Sequence, residues 1–279
     1  MKPEPGVYPG TPMEEYGRWD CANYSTIKQF KRSPAHAREM LLNPPEQTPA
    51  MALGSAVHSA VLEPDLFVEQ YVGAPICDRR TKVGKKTWAD FCNENANKEV
   101  LKADEFDRCM KMSKSAGRNS IIEEMIKETG CTELSFVWVD EDTGSLCKGR
   151  VDRYARLWGN SVVADLKTTE VATEDAWKRE VVKYQYHAQA AFYLDGLESL
   201  SPTEGRKFLW LAIEKASPYA VAIFEPDAAT IQKGRAMYRN YLRQWVACQE
   251  TGVWPGYPAA IQSLMLPDWA LRWEEGEDE

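Results

Sequence analysis

Residues 148–167 read KGRVDRYARLWGNSVVADLK, two runs rich in Val, Leu, Tyr and Trp on either side of Gly159-Asn160. A Gly-Asn pair tolerates the positive φ angles of a two-residue turn, so the spacing predicts antiparallel strands over 145–158 and 161–168 with Trp158 opposite Ser161. Counting back puts Tyr154 opposite Asp165 and Asp152 opposite Lys167. Period-two alternation then sends Asp152, Asp165 and Lys167 to one face, while Val162, Ala164 and Leu166 point into a core. Three charged groups converging on an otherwise apolar strand are costly unless they are paired or bind something. A hard cation with oxygen ligands would satisfy both aspartates and leave the ammonium to face a water or a phosphate oxygen. A structural ion pair is the other reading of the hairpin, because an Asp-x-Lys triplet alone does not separate the two.

The chain has 279 residues, 44% apolar and 27% charged, which suits a folded globular protein with one large core or two modest ones. No stretch approaches the apolar length of a membrane span, and the N-terminal MKPEPGVYPGTPMEEYG lacks the basic and apolar segments of an export signal, so a cytoplasmic location is expected. Seven scattered cysteines, never closer than fifteen residues, suggest reduced thiols rather than a disulfide framework or a Cys-x-x-Cys metal site. The net charge of −8 opposes a nucleic-acid partner, but the terminal EEGEDE carries much of it. Basic residues cluster at DRRTKVGKK (78–86) and KGRVDRYAR (148–156), where a local groove for phosphates, or a solvated loop in the first case, would be consistent with the composition.

Along the chain the pattern predicts an extended Pro- and Gly-rich arm over 1–24, a domain over 25–252, and a tail over 253–279 that is acidic at its end. Within the domain, Ser25 can cap a helix that Pro34 breaks or restarts, MALGSAVHSAVL (51–62) has the periodicity of a buried helix, and residues 88–128 read as two polar-faced helices broken near Gly117. Strands over 131–140, 145–158 and 161–168 follow, then a long helix over 174–197, strands over 206–215 and 219–225, and a helix over 227–250. Three strands, a helix, two strands and a helix make an α/β core with a mixed central sheet flanked by helices.

Other candidates lie outside the hairpin. His58 stands among Gly54, Ser55, Ala56 and Ser59, small neighbours that would let a ligand approach, although a lone buried histidine is commonly a hydrogen-bonded structural one. In YQYHAQAAFY (184–193), Tyr186, Gln189 and Tyr193 share a helix face with Gln185 beside it; facing the sheet, such a glutamine could brace a carboxylate, a lysine or a phosphate. Glu133 could add a carboxylate from the first strand or be a plain exposed strand residue.

Taken together, GSAVHSAVLEP (54–64), KGRVDR (148–153), DLKTT (165–169) and YQYHAQAAFYLDGLE (184–198) resemble, in order, the motifs of the RecE-type exonucleases, the exonuclease VIII family in the RecB-like branch of the PD-(D/E)XK nucleases. The resemblance spans roughly residues 25–225. It implies a restriction-endonuclease-like core and a Mg²⁺-dependent enzyme, with Mn²⁺ substituting, that digests one strand of linear double-stranded DNA from 5′ to 3′. His58, Asp152, Asp165 and the carbonyl of Leu166 would be metal ligands, Lys167 the catalytic lysine, and Gln189 and Tyr193 the supporting helix motif, with Glu133, Gln185 and Tyr186 as additional candidates. Arg79, Arg80, Lys85 and Lys86 are candidates for DNA contact from charge alone. By analogy the partners would be duplex ends and a RecT-type annealing protein, and the assembly a homo-oligomeric ring. The alternatives are an endonuclease or repair nuclease on the same fold, or a DNA-binding module that has lost its chemistry. An iron–sulfur variant is opposed by the isolation of Cys248, and there is no helicase-type phosphate loop.

Overall fold

A computed structural model describes residues 1–267. In chain order the strands are β1 (Gly6–Tyr8), β2 (Ala22–Asn23), β3 (Tyr71–Gly73), β4 (Glu99–Leu101), β5 (Gly130–Val139), β6 (Leu146–Leu157), β7 (Asn160–Thr169), β8 (Lys207–Glu214) and β9 (Val221–Phe224). The helices are α1 (Met13–Arg18), α2 (Tyr24–Ile27), α3 (Pro34–Leu42), α4 (Pro49–Leu62), α5 (Pro64–Gln70), α6 (Lys82–Glu94), α7 (Ala103–Ala116), α8 (Ser120–Lys127), α9 (Glu174–Tyr184), α10 (Tyr186–Leu200) and α11 (Ala228–Thr251), with a 3₁₀ turn at Lys28–Lys31.

The sheet runs β1-β5-β6-β7-β8-β9, antiparallel except for the parallel β7–β8 pair, and β2 joins β6 in parallel. The predicted α/β architecture is present, with α9 and α10 forming the crossover between β7 and β8. One sheet face buries Val163, Phe208 and Trp210 with Phe192, Leu197 and Leu242 of α10 and α11. The other buries Val162, Ala164, Leu166, Leu209 and Leu211 with Val57, Val61, Met112 and Ile122 of α4, α7 and α8. Local chemistry sets several helix starts. Proline opens α3, α4 and α5, where its missing N–H costs nothing, while Thr48, Thr81, Asn119 and Asp227 cap α4, α6, α8 and α11 through their side-chain oxygens.

Several expectations are corrected. The arm over 1–24 is not a free extension: β1 extends the sheet edge beside β5, and Tyr8 and Tyr16 pack on Trp19. Asn23, rather than Ser25, accepts the capping N–H of α2. The polar stretch over 88–128 holds the end of α6, strand β4, α7 and α8, because Asn95 and Lys102 each interrupt the helical run. The long helix breaks at Gln185, which adopts a left-handed conformation (φ 60°) between α9 and α10. Of the tail, Trp254 packs against Phe30 and Trp245; the acidic terminus lies outside the described residues.

The hairpin turn also sits two residues away in register. Trp158 and Gly159, both with positive φ (51° and 79°), form the turn, and Leu157 pairs with Asn160. Asn160 enters β7 and donates from its amide to the Trp158 carbonyl, while the half-exposed Trp158 takes the left-handed position that Asn160 was expected to fill. A two-residue slip preserves side-chain faces but changes partners, so the register projects Asp152 opposite Asp165 rather than Lys167.

Candidate metal and phosphodiester site

The site lies at a fork in the sheet. β6 pairs with β7 from Leu157 back to Arg153 and with β2 at Cys147 and Lys148, so residues 149–152 lack a strand partner on that side. At the fork the Asp152 carboxylate takes the place of a strand carbonyl: Oδ2 accepts the Leu166 N–H at 2.7 Å. Gly149 is required just upstream because a Cβ there would meet the Phe136 ring at 2.3 Å. On β5, Glu133 adopts φ 52°, a left-handed conformation unusual for glutamate. That twist brings its carboxylate inward, where ligand atoms of His58, Glu133 and Asp152 lie within 4.8 Å of one another.

α4 delivers His58. Its Ala56, Val57, Ala60 and Val61 are buried against the sheet side, and the helix is tied to α7 by a hydrogen bond from Ser113 to the Ala60 carbonyl. His58 Nδ1 is 3.4 Å from Asp152 Oδ2. Burial and the neighbouring Lys167 charge push the imidazole pKa down, keeping it neutral and able to donate a lone pair, although the adjacent Leu166 backbone opposes the shift. β7 delivers Asp165, 2% exposed, and Lys167, whose Nζ touches Asp165 Oδ2 at 2.5 Å outside hydrogen-bond geometry.

Burial raises the Asp152 carboxyl to about 7 against the opposing pull of Lys167, with Glu133 adding repulsion. It raises Asp165 to about 6, again against Lys167 and with Asp152 adding repulsion. Burial alone would depress Lys167, but Asp165 and Asp152 outweigh it and hold its pKa above the ordinary lysine value. Arg150 pairs with Glu133 and Lys167 with Asp165, so among the described residues Asp152, with His58 beside it, is the carboxylate of the cluster without a lysine or arginine of its own. That donor set, one imidazole and several carboxylates, fits a hard divalent cation.

Of the helix residues, Gln189 donates to the Tyr193 hydroxyl at 3.2 Å. The Tyr193 phenol is pushed up by burial and by neighbours that include Asp165 and Asp152. The Tyr186 ring centroid is 5.3 Å from Lys167 Nζ. Gln185 is placed elsewhere: its amide donates to Tyr241 and its carbonyl accepts from Tyr24, so it fastens the α9–α10 break. Arg79 lies over Trp88, Arg80 and Lys86 pair with Asp78 and Asp90, and Lys85 is on the exposed first turn of α6. None of the four is among the contacts of the cluster.

The basic run at 148–156 is largely internal rather than a groove. Lys148 donates to the carbonyls of Tyr16 and Trp19, Arg150 pairs with Glu133 at 2.6 Å, and buried Arg153 caps the carbonyl end of α8 through Met125, Ile126 and Glu128. Sequence reasoning missed Arg150. Its one signal was the two-residue spacing from Asp152.

Among the described residues no helix is long and apolar enough to cross a membrane. No curated protein matches the chain. In the crystal structure of a protein of Eubacterium rectale provisionally named an exonuclease, the fold aligns with TM-score 0.58 at 16% identity over 90% of this chain and 92% of that one, a likeness of fold. The structure of SSO0001 aligns at TM-score 0.28 and 17% identity over 67% of this chain and 85% of that one. The model of the PDDEXK-like domain of unknown function (DUF3799) matches residues 23–266, which include the fork, its carboxylates and Lys167, and the chain belongs to that family.

Proposed function

We propose that the protein is a divalent-metal-dependent exonuclease of RecE type, digesting one strand of linear duplex DNA from 5′ to 3′ to leave 3′ single strands for annealing. The observation that carries this reading is the gathering of ligand atoms of His58, Glu133 and Asp152 within 4.8 Å of one another, with the Asp165–Lys167 pair on the neighbouring strand β7. His58, Asp152, Asp165 and the Leu166 carbonyl would hold Mg²⁺ or Mn²⁺, with Glu133 as an added carboxylate; the ion supplies Lewis acidity toward a phosphate oxygen and acidifies water.

The chain's own groups divide the remaining work. Lys167, fixed by Asp165 beneath it and Tyr186 beside it, offers N–H donors to the attacking water and to the phosphate oxygens as negative charge grows. Asp152 accepts from the Leu166 N–H and so anchors the Asp165–Leu166 peptide at the fork. Gln189 and Tyr193, hydrogen-bonded to each other on α10, would support the site from the helix side. A water oxygen bonds to phosphorus and gives up a proton to solvent while the P–O3′ bond breaks and the departing O3′ takes a proton from water, leaving a 5′-phosphate and a 3′-hydroxyl.

Incubating linear and covalently closed duplexes with Mg²⁺ or with EDTA tests the reading. Metal-dependent shortening from 5′ ends supports it. Cutting of closed circles would favour an endonuclease, and retardation without cleavage a DNA-binding module; either result overturns the exonuclease assignment. The proposed RecT-type partner and ring assembly rest on the motif resemblance, and co-purification and sedimentation test them.

A further inference from the structure

Glu133 stands where the β5–β6 ladder is interrupted. Thr132 pairs with Arg153 and Leu134 with Val151, a register that projects Glu133 opposite Asp152, but the ladder skips that pair. Glu133 instead takes φ 52°, a backbone state that is unfavourable for a residue with a side chain and persists where the surroundings hold it. The contacts that hold it converge on Arg150. From β6 the guanidinium donates through Nε to Glu133 Oε2 at 2.6 Å, and through Nη1 to the Thr11 carbonyl at 2.7 Å and the Ser135 hydroxyl at 3.1 Å. The Arg150 side chain is 13% exposed, with the Tyr16 ring centroid 5.8 Å away.

A planar guanidinium, with donors in fixed directions, can hold a carboxylate and two further acceptors at once, whereas a rotating ammonium cannot fix all three. A carboxylate has lone pairs to spare, so engagement by Arg150 leaves Glu133 able to serve an ion. A ligand atom of Glu133 stands within 4.8 Å of those of His58 and Asp152. Without the arginine, this partly exposed carboxylate is free to turn to solvent. Groups that orient ligands alter metal affinity although they do not touch the ion. Thr11 and Tyr16 precede the family match, which begins at residue 23, so the N-terminal arm reaches the metal centre through this one side chain.

We propose that Arg150 is a positioning residue of the metal centre: anchored on the Thr11 carbonyl of the arm, it directs Glu133 toward His58 and Asp152 as a ligand. The inference rests on the metal-dependent part of the proposed function, and it makes the arm a working part of the site rather than a sheet edge alone.

The test titrates Mn²⁺ into the full-length protein without DNA and reads the free ion by its electron paramagnetic resonance signal. It compares wild type, Arg150→Met, Arg150→Lys, Glu133→Gln and the double variant Arg150→Met with Glu133→Gln, with folding followed by circular dichroism. Arg150→Met and Glu133→Gln are each expected to bind Mn²⁺ about tenfold more weakly, and the double variant no more weakly than Glu133→Gln alone, because the arginine acts through the glutamate. Arg150→Lys keeps the charge but loses the fork. It should remain about threefold or more weaker than wild type, and it carries the test if the methionine variant does not fold. Unchanged or tighter Mn²⁺ binding in Arg150→Met, full affinity in Arg150→Lys, or losses that add in the double variant would overturn the positioning role. If those results appear while the wild type digests DNA in Mg²⁺, the nuclease reading stands without it. If the wild type binds Mn²⁺ with the Arg150 dependence but cleaves nothing, the positioning role stands and the nuclease reading falls. A wild type that binds no Mn²⁺ overturns both.

Discussion

Replacing Asp152 by Asn should stabilise the metal-free protein, and by an amount that grows with pH. The folded state holds this carboxyl near 7 because it is 15% exposed, faces Glu133 and gains only partial relief from Lys167. An acid whose folded pKa is raised contributes its full stability below the unfolded value of about 4 and loses it as pH rises through the folded value. Three units correspond to about 4 kcal/mol lost by pH 8, of which the smaller part is already lost at pH 5. Asparagine is nearly isosteric, keeps an oxygen for the Leu166 N–H, and carries no charge. In EDTA, urea unfolding should therefore show Asp152→Asn gaining about 2 to 3 kcal/mol more over wild type at pH 8 than at pH 5. Mg²⁺ at a hundredfold excess over its dissociation constant should narrow the gap, since only the wild type recovers about 2.7 kcal/mol. A stability difference that is flat between pH 5 and pH 8 would refute the argument, because it would mean that Asp152 ionises as freely in the folded chain as in the unfolded one.

Other perturbations read the same centre differently. Lys167→Ala should cut turnover by about 10² to 10³ and leave DNA affinity nearly unchanged, and digestion at the wild-type rate would remove the lysine from the mechanism. It should also destabilise the protein in EDTA more than in Mg²⁺, because Asp165 then has no counter-charge. Asp165→Ala should weaken metal binding by at least tenfold in calorimetric Mg²⁺ or Mn²⁺ titrations, and an unchanged affinity would exclude it as a ligand. Gly149→Ala should cost about 1 to 3 kcal/mol by forcing the Phe136 ring aside, seen as a melting temperature several degrees lower; no change would mean the ring moves freely.

The hairpin was legible because alternation survives an error of two residues. The turn was misplaced, yet Asp165 and Lys167 still share a face, since period two makes any even slip harmless to facing and damaging only to pairing. What sequence could not show is the breakdown of alternation at the fork. Val151 is buried with the α10 side, whereas Arg153 turns to the carbonyls ending α8, so Asp152 lies where the strand changes its orientation. That change accompanies the left-handed Glu133 across the sheet, a backbone state that local composition does not announce. The basic run at 148–156 was misread for a related reason. Charge can be counted from sequence, but whether an arginine meets a phosphate or a helix end depends on α1, α8 and the loop before β2, each distant in the chain.

These placements explain how an acidic chain can keep a productive cationic element at its centre. Lys148, Arg150 and Arg153 spend their charge on carbonyls and on Glu133, so they hold the fork in shape rather than attract DNA. Under the proposed function Lys167, balanced by Asp165, is the cation left to act on a substrate. If the chain acts as proposed, the cluster of His58, Glu133, Asp152 and Asp165 should repel a phosphate until a cation is bound and then attract it. On that reading metal and nucleic acid should be thermodynamically linked, each tightening the other's binding by the same factor, with the coupling carried by the carboxylates at the fork. Measuring Mn²⁺ affinity with and without a short duplex gives that factor directly, and it should collapse toward one in Asp165→Ala, because that variant removes the charge inversion.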